Sequence, residues 1–203
     1  MPKLVEIRKY AADSMTRPVA RVLAKTSVSP DALSWTGFGL TLVAGGFVIF
    51  GQLLIGGIAM LCAGFFDMLD GAVARMSHRT TSFGAILDST LDRLAEATML
   101  LCLMVFFARE GSLTGVVLSG ITLTASFMVS YVRARAEGMG LESREGFFTR
   151  PERVGLLALG LLLGQLPYAL PAALVVIAFF STLTAAQRLV NAWRQTRDSS
   201  TLK

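Results

Sequence analysis

The chain has 203 residues, of which 53% are hydrophobic, with a mean hydropathy of +0.60 and a formal net charge of +5. That is well above the apolar content of a soluble globular domain of this size, so an integral membrane protein is the first reading. The basic excess has no strip of interleaved aromatic residues of the kind nucleic acid takes, and it reads instead as a topology signal with affinity for anionic headgroups or substrates.

The first 25 residues mix charges throughout and lack a continuous apolar core, so no cleavable signal peptide is expected. Leu4, Ile7, Ala11, Met15 and Val22 recur at spacings of three, four or seven, while Lys3, Glu6, Lys9, Asp13, Arg17 and Arg21 line the opposite side. This pattern predicts an amphipathic helix over 1–25 lying flat on the cytoplasmic leaflet and kinked at Pro18, the alternative being a helix that faces solvent.

From 31 to 190 the chain reads as six membrane spans, each needing about 20 mostly apolar residues. The run 33–66 carries no charge and is broken at Gly51 and Gln52, which predicts a hairpin of two helices. A third span is centred on 95–108 and extends backwards through a group of aspartates; a fourth covers 113–132. The run 154–187 is too long for one span and is punctuated by Pro167 and Pro171, so it divides into two helices joined by a short turn. With the N-terminus inside, every one of the 19 lysines and arginines except Arg109 falls on or near the cytoplasmic side. Both termini are therefore expected on the cytoplasmic face of the cell membrane. No linker, low-complexity tract or repeat divides the chain, and 1–203 is read as one domain. Cys62 and Cys102 read as small buried hydrophobes, and His78 as a solvated loop residue.

Asp67 and Asp70 lie three residues apart near the end of the second span, and Asp88 and Asp92 four apart near the start of the third. Each pair shares one helix face. A single ionised aspartate at the centre of a membrane helix costs about 2.5 to 3.5 kcal/mol even on the mildest scale, and four together also repel one another. A divalent metal answers both costs, because hard cations such as Mg²⁺, Mn²⁺ or Ca²⁺ prefer carboxylate oxygens and no His or Cys cluster offers a softer site. Two metals bridged by carboxylates commonly clamp a phosphoryl group.

Gly71 and Ala74 follow Asp67 by four and seven positions, and Gly84 precedes Asp88 by four. The aspartate faces thus continue as a groove with almost no side chain, where a phosphate or nucleotide could approach the backbone; close helix packing is the other reading. Arg75 can meet a phosphate with a forked pair of hydrogen bonds. Further along, Ser130 and Arg133 share a face at the end of the fourth span. Arg150 and Arg153 open the fifth, and Arg188 closes the sixth. Arginines at three helix ends would make a pocket for an anionic group, most simply a phosphate on an acceptor; alternatively they are topology and headgroup-anchoring charges.

The series Asp67, Asp70, Gly71, Ala74, Arg75, Gly84, Asp88 and Asp92, at these offsets, resembles the signature of the CDP-alcohol phosphotransferase family. The resemblance implies an interfacial N-terminal helix followed by six membrane helices, and a homodimer. It also implies a reaction in which an acceptor hydroxyl attacks the β-phosphorus of a CDP-alcohol and CMP leaves. Asp67, Asp70 and Asp88 would then hold two divalent ions, Mg²⁺ or Mn²⁺, with Asp92 contributing and acting as general base. Gly71, Ala74, Arg75 and Gly84 would contact the CDP moiety, and so would Ser34 from the stretch "SPDALS", where Asp31 stands in place of the family's asparagine. Ser130, Arg133, Arg153 and Arg188 resemble the branch whose donor is CDP-diacylglycerol and whose acceptor is inositol phosphate, although relatives there often carry lysine at the position of Arg133. Glycerol 3-phosphate is the nearest alternative acceptor. An ion or proton transporter, the competing class, would place its acids nearer the midplane and in a repeated half.

Overall fold

The computed structural model describes residues 16–24, 26, 28–77, 80–141, 143, 146 and 148–200. Among them no strand occurs, and after a short helical run at 16–23 come six longer helices. They are α1 (Pro30–Ile49), α2 (Leu53–Met76), α3 (Ser82–Arg109), α4 (Leu113–Glu137), α5 (Arg150–Leu162) and α6 (Ala169–Ser200). Most of the amphipathic stretch expected over 1–25 lies outside the described residues, as does His78. Within 16–23, Ala20 is fully buried and packs with Leu33 of α1 and Leu69 and Val73 of α2.

The helices begin where the sequence supplies a cap. Ser29 Oγ accepts from the Ala32 amide at 3.2 Å with Pro30 in the first turn, and Thr81 Oγ1 accepts from the Gly84 amide at 2.9 Å. At α5 the Thr149 amide donates to Glu152 Oε2 at 2.8 Å, a reciprocal cap that fixes where Arg150 and Arg153 emerge. The α1–α2 and α3–α4 turns pass through Gly51 and Gly111 with φ of 76° and 69°, a left-handed backbone that strains any residue with a Cβ.

Among the described residues, four helices are long and apolar enough to cross a membrane: Pro30–Ile49, Leu53–Met76, Leu113–Glu137 and Ala169–Arg197. α3 has ample length at 28 residues, but its stretch 88–96 carries Asp88, Asp92, Arg93 and Glu96. α5 has 13 residues, about 20 Å at 1.5 Å rise, short of the roughly 30 Å of a hydrocarbon core. The break expected near Pro167 is present, yet it divides the 154–187 run unequally.

α1 packs on α2 and α3, α3 on α4, α4 on α6, and α5 bridges α2 and α6. Val48, Met60, Met99, Leu103, Leu161 and Leu174 meet in the common core. Close approach depends on missing side chains: a Cβ on Gly45 would stand 2.6 Å from Cys102 Sγ, and one on Gly57 3.1 Å from Leu161 Cβ. Cys102 thus packs against α1 as a small apolar residue, but it is half-buried rather than buried as expected. Cys62 is not buried: it faces outward with Ile58 and Leu61 on the exposed side of α2. Large apolar side chains such as Ile58, Ile121 and Phe179 are exposed on several helices, the distribution of a protein whose outer surface meets lipid. The chain is a helical membrane protein.

Candidate active site

The C-terminal half of α2 and the N-terminal half of α3 bring the acids together. Asp67, Asp70 and Asp88 each offer a carboxylate oxygen, and the three oxygens lie within 4.8 Å of one another. Asp70 is buried and its orientation is fixed: Ser34 Oγ donates to its Oδ2 at 2.5 Å, and the Gly71 amide donates to its Oδ1. Holding a carboxylate from behind in this way aims its remaining lone pairs and raises its worth as a ligand. Three carboxylates and no imidazole or thiolate are the donor set of a hard divalent cation, so the residues fit the metal that the sequence pattern implied.

Asp92, expected among the metal ligands, stands outside this group of three. Its Oδ1 lies 2.5 Å from Arg150 Nη1, and the same nitrogen lies 2.7 Å from Asp67 Oδ2. The guanidinium of α5 therefore offsets part of the charge of the two carboxylates nearest to it. Asp92 Oδ1 is buried and, despite that ion pair, takes no hydrogen bond of proper geometry.

Two cavities flank the acids, and Asp88 lines both. The first, about 190 Å³, is bounded by Asp31, Ser34, Asp70, Gly71, Ala74, Arg75, Thr81 and Gly84. All five residues expected at the CDP moiety are on its wall. At its two glycines the wall is bare: a Cβ on Gly71 would stand 3.2 Å from Arg75 Nη1, and one on Gly84 3.0 Å from Thr81 Oγ1 and 3.4 Å from Asp31 Oδ1. Ser34 reaches this wall, but its hydroxyl is committed to Asp70.

The second cavity, about 590 Å³, lies on the other side of Asp88 and is lined by Asp92, Glu96, Ser130, Arg133, Arg150, Arg153 and Arg188 among others. The four residues expected at the acceptor phosphate thus share one wall. Each arginine is gripped by the protein. Arg133 Nε donates to Glu137 Oε1 at 2.8 Å, Arg188 Nη1 to the Val129 carbonyl at 2.8 Å, and Arg153 Nε and Nη2 to Glu96 at 2.5 and 2.8 Å. Topology charges alone would not be buried, yet Arg153 is 2% and Arg188 4% exposed.

Glu96 and the bridging role of Arg150 were missed by sequence reasoning. Glu96 falls inside the third apolar stretch and was absorbed into the span. Its signal was nevertheless present, since 88, 92 and 96 repeat at four residues and place three acids on one face of α3.

An acid cluster where two cavities adjoin in a helical membrane protein is an arrangement suited to phosphoryl transfer. Comparison with known proteins narrows this: residues 27–193 match the CDP-alcohol phosphatidyltransferase family. The chain is 36% identical over 186 residues to archaetidylinositol phosphate synthase of Methanothermobacter thermautotrophicus, covering 88% of this chain and 93% of that one. It is 35% identical over 203 residues to phosphatidylinositol phosphate synthase of Mycobacterium tuberculosis, covering 95% and 92%. Crystal structures of that M. tuberculosis protein superpose with a TM-score of 0.79 at 33% identity, both with CDP-DAG bound, where 88% of this chain and 93% of that one are covered, and with manganese and citrate, where the shares are 88% and 88%. This chain belongs to the CDP-alcohol phosphatidyltransferase family, whose members are transferases.

Proposed function

We propose that this chain transfers the phosphatidyl group of CDP-diacylglycerol to inositol phosphate, forming phosphatidylinositol phosphate and CMP. The observation that carries this reading is the position of Asp88, on the wall of a small groove on one side and of an arginine-lined cavity on the other. A transfer reaction needs two substrates to meet at one centre, and the acids lie where the two cavities adjoin. The M. tuberculosis structure with CDP-DAG bound supports the donor, and the names of the relatives support a product that carries inositol phosphate.

In this reading Asp67, Asp70 and Asp88 would hold two divalent ions, Mg²⁺ or Mn²⁺, with Asp92 contributing. When bound, such ions polarise phosphoryl oxygens and offset the charge that develops on them. The bare backbone at Gly71, Ala74 and Gly84 admits the CDP moiety, Arg75 meets its phosphates, and Ser34 keeps Asp70 in place from the groove side. Across Asp88, Ser130, Arg133, Arg153 and Arg188 bind the acceptor phosphate and thereby set its hydroxyl beside Asp92. Asp92 takes the hydroxyl proton, the oxygen forms its bond to the β-phosphorus, and the bond from that phosphorus to the oxygen of CMP breaks. Arg150, between Asp67 and Asp92, keeps the acids from repelling one another.

The same reading takes the whole chain as one domain. Six helices cross the cell membrane, the short α5 with its following turn among them. Both termini and the site lie on the cytoplasmic side, and the protein is a homodimer. The lysine and arginine distribution supports the orientation.

Release of CMP by the purified protein with CDP-diacylglycerol tests the reading. CMP should appear only when a divalent metal and inositol 1-phosphate are both present. Release that ignores chelation, or silence with every phosphorylated polyol, would refute it.

A further inference from the structure

We infer that Glu96 is a positioning residue for the acceptor: it grips one edge of Arg153 so that the opposite edge is held ready for the phosphate. The inference rests on the acceptor reading given above and extends it to a residue that touches no substrate.

Arg153 is 2% exposed and its guanidinium is held side-on, Nε to Glu96 Oε1 at 2.5 Å and Nη2 to Glu96 Oε2 at 2.8 Å. A guanidinium carries five N–H groups on a rigid plane. The carboxylate uses Nε and one hydrogen of Nη2. The remaining end, Nη1 with the second Nη2 hydrogen, is a fork of the width that two phosphate oxygens accept. Nη1 is itself buried and has no acceptor in the protein. A buried cationic N–H without a partner is costly to keep, which points to a ligand that supplies the acceptor. Arg153 and Glu96 both line the 590 Å³ cavity with Arg188 and Ser130, so the unpartnered Nη1 belongs to a side chain in the cavity wall, and an anion that displaces its thin cover there would supply the missing acceptor.

The place of Glu96 on α3 gives the grip a second consequence. Asp88, Asp92 and Glu96 recur every four residues on one face, about 12 Å from first to last at 1.5 Å per residue. The proposed base and the residue that aims the acceptor's anchor are therefore one turn apart on a single rigid helix. Glu96 sets the span between the phosphate that is held and the hydroxyl that attacks. Acceptors are selected by the separation of those two groups as well as by charge.

The test is a cycle of Glu96→Gln, Arg153→Lys and the double variant, assayed with Mn²⁺, varying inositol 1-phosphate and CDP-diacylglycerol in turn with the other at saturation. Glu96→Gln should raise the acceptor KM about tenfold or more while the donor KM stays unchanged. The double variant should be no worse than Arg153→Lys alone, because Glu96 acts through Arg153. An unchanged acceptor KM in Glu96→Gln, or effects that multiply in the double variant, overturns the inference. Should Arg153→Lys and Arg153→Ala both leave the acceptor KM unchanged, it is the acceptor reading that fails, a distinct result. If Glu96→Gln does not fold, Glu96→Asp decides. It keeps the ion pair but draws the guanidinium back by one methylene, and calorimetric titration with inositol 1-phosphate should then show weaker binding. Unweakened binding by Glu96→Asp overturns the inference as well.

Discussion

Arg150 Nη1 lies 2.7 Å from Asp67 Oδ2, joining the first turn of α5 to the acid-bearing half of α2 across 83 positions of sequence. The same nitrogen reaches Asp92 on α3, so one cation ties three helices at the site. Without it, two partly buried carboxylates would face each other uncompensated, and breaking such a pair is destabilising.

Arg150→Ala should therefore lower the melting temperature of the chelator-treated protein, by roughly 2 to 4 °C for each kcal/mol lost in a chain of this size. A bound divalent cation offsets the same charges, so the gap to wild type should narrow when Mn²⁺ is restored. A gap of equal size with and without metal would show that Arg150 and the metal do not share a role.

Asp92→Asn should reduce kcat by about 10² to 10⁴, the usual contribution of a general base, while CDP-diacylglycerol binding and metal binding persist. Asparagine keeps the shape of the side chain but removes its charge and its capacity to take a proton, while Arg150 keeps Asp67 as its partner. Loss of metal binding together with turnover would make Asp92 a ligand in the first place.

The hydroxyl of Ser34 donates to Asp70 Oδ2 at 2.5 Å, so its value should be read in metal affinity. Ser34→Ala should weaken Mn²⁺ binding about tenfold, at the lower end of what loss of an outer-shell partner costs. A titration superimposable on wild type would return Ser34 to a role at the nucleotide alone.

At Gly71 stability and activity should separate. Alanine is favoured over glycine within a helix by about 1 kcal/mol, yet its Cβ would stand 3.2 Å from Arg75 Nη1 on the wall of the groove. Gly71→Ala should hold or raise the melting temperature while raising the KM for CDP-diacylglycerol severalfold. An unchanged donor KM would mean that the groove is helix packing and nothing more.

The acids and the bare groove were legible in the sequence because both depend on local spacing. Residues three and four apart share a helix face whatever the rest of the chain does, and the loop between α2 and α3 is too short to part the helices. Contacts between distant segments were not legible. The rim holds several arginines, and only packing decides that Arg153 meets Glu96 while Arg150 meets Asp67 and Asp92. Glu96 itself was hidden by its setting, an acid inside an apolar stretch whose partner lies 57 residues away. Hydropathy likewise marked the 154–187 run as long enough for two helices but carried no sign that α5 would have 13 residues. Cys62 was misplaced for a related reason: in lipid, apolar residues occupy the outside as well as the core, so apolarity does not reveal which way a residue faces.

The most direct test is a competition. The purified protein with Mn²⁺ and CDP-diacylglycerol is given inositol 1-phosphate, inositol, glycerol 3-phosphate and serine at equal concentration, and the lipid products are identified by mass. The account predicts phosphatidylinositol phosphate as the dominant product. A dominant product of phosphatidylglycerol phosphate would contradict the acceptor assigned to the arginine-lined cavity, and a dominant product from inositol or serine would contradict its recognition of a phosphate altogether.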